Sequence, residues 1–201
     1  MLGIAINLVG ILILYFTKNI PCLLLGLLNI GWYNGLYTWL KKKSGFAVVP
    51  GAVTGAIPVL MGWSVANGSL LRPEGYFLAF VVFVWQVPHF WLLMLSFGDQ
   101  YHDAGLPSML TLFSVPAMKR IILSWTIASS AASLLLIFIR LVQWNITIYA
   151  LILLNAFLIF QMFRSFFLNP SGSNRSLFIA INIFLMLFFM LLMADRVLLL
   201  I

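Results

Sequence analysis

Charge is scarce in this chain, and negative charge is scarcest of all. Only 7% of its 201 residues are Asp, Glu, Lys or Arg, and the acidic ones are just Glu74, Asp99, Asp103 and Asp195. A soluble domain must cover itself with polar groups. A chain that is 64% hydrophobic, with a mean hydropathy of +1.12, has too few to do so. Lipid is therefore the solvent it is built for. Cysteine is nearly absent as well. Cys22 stands alone, so no intrachain disulfide can form, and its place inside an apolar run predicts a small packed hydrophobe. The basic excess gives a net charge of +7. In a soluble chain this would suit nucleic acid. In this composition it predicts cytoplasmic loops that fix topology and attract anionic headgroups or phosphates, with no nucleic-acid partner. No internal repeat, low-complexity tract or second domain is visible, so residues 1–201 read as one transmembrane domain.

What is present is a succession of apolar runs. A helix needs about 20 apolar residues to cross the hydrocarbon. Seven runs suit this, at 2–16, 20–40, 46–66, 75–97, 120–140, 145–164 and 176–195. They predict an all-α fold, a polytopic helical bundle in the bilayer. Turn chemistry separates the runs at Asn19-Ile20-Pro21, Lys43-Ser44-Gly45, Asn67-Gly68-Ser69 and Asn169-Pro170-Ser171-Gly172-Ser173-Asn174. The first run is short: its 16 residues make roughly 24 Å of helix, against a hydrocarbon core of about 30 Å. It has neither a basic n-region nor a small-residue cleavage site, so it does not read as a signal peptide. A chain that begins within a span suggests that something upstream is missing; a short or tilted helix is the alternative. Lys and Arg choose the orientation. With the N-terminus inside, Lys41, Lys42, Lys43, Lys119, Arg120, Arg164 and Arg175 are cytoplasmic, and Lys18, Arg72, Arg140 and Arg196 lie outside. This bias places the Asp99–Asp103 loop in the cytoplasm.

Chemistry concentrates between Trp85 and Pro116, the stretch that holds both histidines and two of the four acids. Charge in a membrane protein is costly, so clustered charge marks the place to look. Asp99 and Asp103 are spaced i, i+4 and share one face if that segment is helical. Mg²⁺ is typically held by one or two carboxylates while substrate phosphates and water complete its octahedron. Lys119-Arg120 ends the same loop, and Lys41-Lys42-Lys43 lies on the same membrane side. Acids with bases nearby form the electrostatic pattern of a Mg–diphosphate site. A solvated loop with topogenic charges is the competing reading, and from spacing alone it has the better odds. His89 follows Pro88, with Trp85 at i−4 and Gln86 at i−3, so the three can share a face. An intramembrane His points to the bundle interior, as a ligand, a proton donor or a contact for a polar substrate. A histidine hydrogen-bonded to a neighbouring helix is an equal alternative. Pro88 removes a backbone donor and predicts a kink beside a cavity. Gly51 and Gly55 form a GxxxG, a packing signal. Trp85, Phe90 and Trp91 can line a cavity for an isoprenoid or a macrocycle, though such aromatics also serve as packing and interface anchors.

Taken together these stretches resemble the protohaem IX farnesyltransferases (haem O synthases), within the UbiA superfamily of intramembrane prenyltransferases. Phe83-Val84-Trp85-Gln86-Val87-Pro88-His89-Phe90-Trp91 is similar to that family's F-x-W-Q-x-P-H-F. Asp99-Gln100-Tyr101-His102-Asp103-Ala104-Gly105-Leu106-Pro107 is similar to its acidic-acidic-Tyr-x-x-Ala-Gly-Ile-Pro. Tyr37-Thr38-Trp39-Leu40-Lys41-Lys42-Lys43 resembles Y-T-x-L-K-R, and Gly55-Ala56-Ile57-Pro58 with Gly62-Trp63 resembles its G-A-x-P and G-W elements. The motifs fall in the right order and span nearly the whole chain.

The resemblance implies nine transmembrane helices around a central cavity, of which these seven runs correspond to helices three to nine. It implies transfer of farnesyl from farnesyl diphosphate to a vinyl group of protohaem IX, giving haem O. It implies Mg²⁺ on Asp99 and Asp103, the catalytic acids. Lys41, Lys42, Lys43, Tyr101, Lys119 and Arg120 become candidates for the diphosphate side, and Trp85, Gln86 and His89 for haem contact. It also implies a bacterial inner-membrane location with cytoplasmic active-site loops. The chain departs from the family at three points. The first Asp-rich motif, of N-x-x-x-D type, is absent, as an N-terminal truncation by two helices would leave it. Gln100 replaces the second acid of the pair. Ser108-Met109-Leu110 replaces the usual Met-Leu-Pro. A separate polypeptide carrying the missing helices is one resolution, and an inactive paralogue that binds isoprenoid or haem is another. A small transporter is the reading from a different class. It predicts paired repeats or charges within several spans, and the interiors of these spans are nearly free of both.

The orientation is directly testable. A Ser173→Cys variant should react with a membrane-impermeant maleimide only from the cytoplasmic side. Labelling only from the periplasm would invert the topology.

Overall fold

The computed structural model describes residues 2–67, 69–103, 105, 107–168 and 174–199. The described chain is helical, and no strand occurs among the described residues. It divides into two compact units, Met1–Phe83 and Val84–Ile201.

The first unit opens with α1 (Leu2–Phe16), a turn through Lys18, and α2 (Ile20–Gly31). Asn19 is the hinge of that turn. Its Oδ1 accepts from Cys22 N at 2.9 Å, capping α2, and Pro21 occupies the first turn, where no donor is needed. Its Nδ2 donates to the Ser64 carbonyl at 2.9 Å. One side chain therefore starts α2 and ties it to α5 (Val53–Asn67). Asn29 Nδ2 donates to Thr54 O at 3.2 Å, and Trp32 Nε1 donates to Pro50 O at 2.8 Å. These bonds satisfy polar groups between helices where lipid offers none. After α2 the helix widens into a π segment, Trp32–Tyr37, followed by α3 (Thr38–Leu40). A 3₁₀ turn, Gly45–Ala47, and α4 (Val48–Gly51) lead into α5. Gly51 must be glycine: a Cβ there would stand 2.6 Å from the Tyr37 ring. Half of the predicted GxxxG thus packs against an aromatic ring. Cys22 is buried, as its apolar setting predicts.

The unit boundary falls within α6 (Pro73–Asp103), the longest helix. Pro88 lies inside it, yet the helical backbone is broken at Phe97, where φ is −127° and ψ 24°. The break therefore sits nine residues beyond the proline. It coincides with Gly98, whose missing Cβ lets Leu110 approach: a Cβ would meet Leu110 Cδ1 at 2.7 Å. A 3₁₀ turn at Met109–Thr111 is capped by Ser108 Oγ, and Met109 N points at Met94 Sδ, 3.3 Å away.

The second unit continues with α7 (Val115–Phe138), α8 (Asn145–Phe163), a π segment at Arg164–Leu168, and α9 (Asn174–Leu198). Small side chains, Thr126, Ser129, Ser130, Ala132 and Ser133, form the buried part of α7 with Met118, Ile122 and Leu136. Such residues allow membrane helices to approach closely. Ser133 Oγ lies 2.9 Å from Asn155 Oδ1 of α8, and Asn155 Nδ2 returns to Leu151 O at 2.8 Å. Asp195 is fully buried near the end of α9. Its carboxylate accepts from Trp144 N at 3.0 Å and from Gln143 N at 3.2 Å, covering donors at the start of α8. Arg196 donates to Leu141 O at 3.2 Å beside it.

Five helical stretches are long and apolar enough to cross a membrane: Gly45–Ala66, Pro73–Gly98, Val115–Phe138, Asn145–Leu168 and Asn174–Leu198. Gly3–Phe16 is apolar but shorter. The run at 20–40 is interrupted by the π segment and carries Asn29, Asn34 and Thr38. All seven predicted runs are thus helical, and five reach spanning length. The protein is an integral, multi-pass membrane helical bundle.

Removing the Asp195 cap should cost about 1–3 kcal/mol, since buried donors lose their acceptor. Thermal unfolding in detergent should show Asp195→Ala well below the parent and Asp195→Asn between them. Identical midpoints for all three would show that the carboxylate does not hold this turn.

Candidate functional site

Residues of α6 build the site, and an indole holds them in place. Trp85 Nε1 donates to the Ile181 carbonyl of α9 at 2.9 Å, and Trp85 is buried. One turn later the His89 ring lies against Trp85, centroids 4.8 Å apart. Phe178 of α9 faces the histidine at 4.9 Å, and Phe90 meets it edge-on at 5.2 Å. The helical spacing of Trp85 and His89 thus stacks the two rings. What the spacing does not give is Phe178, the ring that closes on His89 from another helix.

Within this aromatic setting two polar atoms are stranded. His89 Nδ1 and Gln86 Oε1 are both buried without a hydrogen-bond partner among the described residues, as are Asn29 Oδ1, Trp63 Nε1, Glu74 Oε2, Trp91 Nε1, Ser129 Oγ and Ser130 Oγ elsewhere. A buried polar atom left unpaired costs about 1–3 kcal/mol. Native proteins seldom carry such a cost without a use, such as a ligand or an ordered water. The alternative of a histidine satisfied by a neighbouring helix finds no bond at Nδ1 among the described residues.

Farther along α6, Leu95, Ser96 and Phe97 meet Asn174, Arg175 and Phe178 around a cavity of about 550 Å³. Asn174 Nδ2 reaches Leu95 O at 3.5 Å, joining the start of α9 to the end of α6. Phe178 is shared: it walls the cavity and touches His89. The sequence marks Arg175 only as a topogenic charge and Asn174 only as part of a turn, and it gives Phe178 no role. The one signal it offered was their position, at the mouth of the last span and on the same membrane side as Asp99.

The backbone of α6 is helical as far as Asp103, so Asp99 and Asp103 stand one turn apart. The side chains of Asp99, Tyr101 and Asp103 lie outside the described residues. Among the described residues no group of three metal-ligating side chains occurs. Three lysines rest on aromatic rings. Lys119 Nζ is 5.7 Å from the Phe166 centroid, and Arg120 is exposed beside it in the first turns of α7. In the first unit, Lys43 Nζ lies 3.9 Å over Trp39 and Lys41 Nζ 5.7 Å over Tyr37, while Lys42 is exposed. Cation–π seating holds an ammonium near the membrane boundary while leaving its donors available.

The sequence model of the UbiA prenyltransferase family matches residues 1–194. Curated relatives include the mitochondrial protoheme IX farnesyltransferase of Yarrowia lipolytica, 48% identical over 97 residues, which are 48% of this chain and 21% of that protein. The protoheme IX farnesyltransferase of Oleidesulfovibrio alaskensis is 40% identical over 105 residues, 52% of this chain and 37% of its own length. That of Nitratidesulfovibrio vulgaris is 34% identical over 146 residues, 72% of this chain and 50% of its own length. The chain thus spans half or less of the curated relatives it matches. No solved structure matches it.

Proposed function

The chain belongs to the UbiA prenyltransferase family, and on that premise we propose that it takes part in farnesyl transfer from farnesyl diphosphate to a vinyl group of protohaem IX. The observation that carries this reading is His89, whose Nδ1 is unpartnered and whose ring is set among Trp85, Phe90 and Phe178, with the unpartnered Gln86 Oε1 on the same helix. A flat aromatic acceptor with polar substituents suits such a wall. The names of the relatives support the same substrates.

The chemistry needs three things from the chain. The first is stabilisation of the departing diphosphate. Asp99 and Asp103, one helical turn apart, are a donor set that suits Mg²⁺, which leaves further positions to phosphate oxygens. When bound, Mg²⁺ supplies positive charge at the leaving oxygens. Lys119, Arg120 and Tyr101 add cations and a hydroxyl for the same oxygens. The second is exclusion of water. The C1–O bond of the donor breaks as the farnesyl carbon bonds to the vinyl group, and the positive charge that develops must not meet solvent early. Trp85, Phe90 and Phe178 provide an apolar lining. The third is placement of the acceptor, which falls to His89 and Gln86. Water then supplies the hydroxyl of the hydroxyethylfarnesyl product. We place the reaction at the cytoplasmic face of a bacterial inner membrane, following the Lys and Arg bias.

The family's first acidic cluster has no counterpart in these 201 residues, and Gln100 weakens the second. Losing one electrostatic stabiliser commonly costs about 10²–10³ in rate, and a whole cluster costs more. We therefore propose that full activity needs a further polypeptide segment with an N-x-x-x-D loop. Gln100 also favours a second reading, a paralogue that binds without turnover.

Two measurements test these points. Mg²⁺-dependent binding of farnesyl diphosphate should fall strongly in Asp99→Asn and little in Glu74→Gln, which lies toward the other membrane face. Equal effects would remove Asp99 from the site. Haem extracted from a synthase-deficient strain should contain little or no haem O when the 201-residue chain is expressed alone. Co-expression of the helices bearing the N-x-x-x-D loop should restore it. Abundant haem O from the chain alone would refute the two-cluster requirement. A folded complex without product would favour the paralogue.

A further inference from the structure

The turn between α1 and α2 frames a cavity that the reaction derived above does not use. It measures about 350 Å³, is lined by residues 14–16, 18–20 and 23, and lies wholly within the first unit. One apolar wall is fixed by packing: Leu14 is seated on Gly26, where a Cβ would collide with it. The amide of Asn19 is already committed. Its Oδ1 accepts from Cys22 N, and its Nδ2 donates to the Ser64 carbonyl. Thr17 Oγ, in the same turn, donates to Leu14 O at 2.6 Å. Two polar side-chain groups of the lining are left. The Lys18 ammonium and the Tyr15 hydroxyl make no hydrogen bond or ion pair among the described residues.

The charge at this cavity has one sign. No acid lines it, and the sole acid of residues 1–83, Glu74, belongs to α6. Lys18 stands at φ 54°, a backbone region that favours glycine. What a lysine adds there over a glycine is a long side chain with a charge. Tyr15 and Phe16 are largely exposed, at 65% and 70%, with their rings edge to face at 6.0 Å. Exposed aromatics at the end of an apolar helix, with a lysine just beyond them, mark the depth of the lipid headgroups.

We propose that this cavity holds an anionic phospholipid, with its phosphate on Lys18 and Tyr15 and the start of an acyl chain along Leu14, Ile20 and Leu23. The assignment is independent of the farnesyl-transfer reading. Charge selects among lipids: an ammonium with no acid beside it favours a headgroup of net negative charge over a zwitterionic one, whose own cation offsets the phosphate. The apolar walls select a lipid over a free phosphate, since Leu14, Ile20 and Leu23 offer a soluble anion nothing.

Photoreactive phosphatidylglycerol with a diazirine in one acyl chain tests this on the purified chain in neutral detergent, beside phosphatidylcholine with the same chains. Mass spectrometry locates the cross-linked peptides. Phosphatidylglycerol should label residues 14–23 about fivefold more than phosphatidylcholine, the scale of one basic residue at an anionic surface. Lys18→Gln should lower its labelling to the phosphatidylcholine level, and Lys18→Arg should preserve the preference. Lys18→Gly should also lose the preference, yet unfold at or above the parent's temperature, because the backbone there suits glycine. That variant separates the charge from the fold. Equal labelling by the two lipids, unchanged in Lys18→Gln, would overturn the proposal and leave a groove that takes bulk lipid without selection. Loss of labelling on adding inorganic phosphate, but not chloride at equal ionic strength, would reassign Lys18 to a soluble anion and overturn it as well. Absence of any adduct at residues 14–23 from either lipid would have the same consequence.

Discussion

An indole N–H donated across two helices sets the geometry on which the candidate site depends. Left unpaired, Trp85 Nε1 would have no water to turn to, since a buried donor in a membrane protein meets only protein and lipid. It finds the Ile181 carbonyl. That bond fixes the rotation of α6 against α9, and rotation decides which residues meet. His89, one turn beyond Trp85, is carried onto Phe178, one turn before Ile181. Farther on, the same alignment brings Ser96 and Phe97 to Asn174 and Arg175. In the second unit, long aromatic side chains carry much of the joining of α6 to its neighbours: Trp91 on Trp125, Trp85 to Ile181, His89 on Phe178. Such bridging leaves room beside the rings for a bound molecule.

At the seam of α7 and α8 the packing is closer. Small residues on α7 admit α8, and Ser133 meets Asn155 across the seam. Asp195 caps the chain at the start of α8, and Asn19 does similar work in the first unit. Each is a polar side chain satisfied by backbone that would otherwise face lipid unpaired. What distinguishes His89 is its setting: its unpartnered Nδ1 belongs to a ring that meets Trp85, Phe90 and Phe178.

Asp195 and Asp99 show why identical residue types were not equally readable. Both are acids in an acid-poor chain, and scarcity alone marks each as important. Asp99 stands in a motif with a chemical meaning. Asp195 stands in an apolar helix with no motif around it, and its role appears only when Gln143 and Trp144 fold beneath it. Likewise the spacing of Trp85, Gln86 and His89 was visible as one helical face. Pro88 suggested a break in α6, and the break lies at Phe97, where Gly98 yields to Leu110. A proline can be absorbed inside a helix when neighbours hold it, whereas close approach of a second segment at a glycine is a tertiary event.

The sequence by itself determined the class, the helices and their order, because these follow from local quantities: hydropathy over about 20 residues, turn chemistry, and charge at the ends of runs. It also determined the family, because the motifs lie in short contiguous stretches. Only the tertiary structure decided that Phe178 closes on His89, that Arg175 and Asn174 share a cavity with Ser96, and that Asp195 is a cap. Those residues lie roughly 50 to 90 positions from their partners. No periodicity links such positions. What links them is the rotation and depth at which whole helices pack, and that is set by the sum of side-chain contacts along each interface.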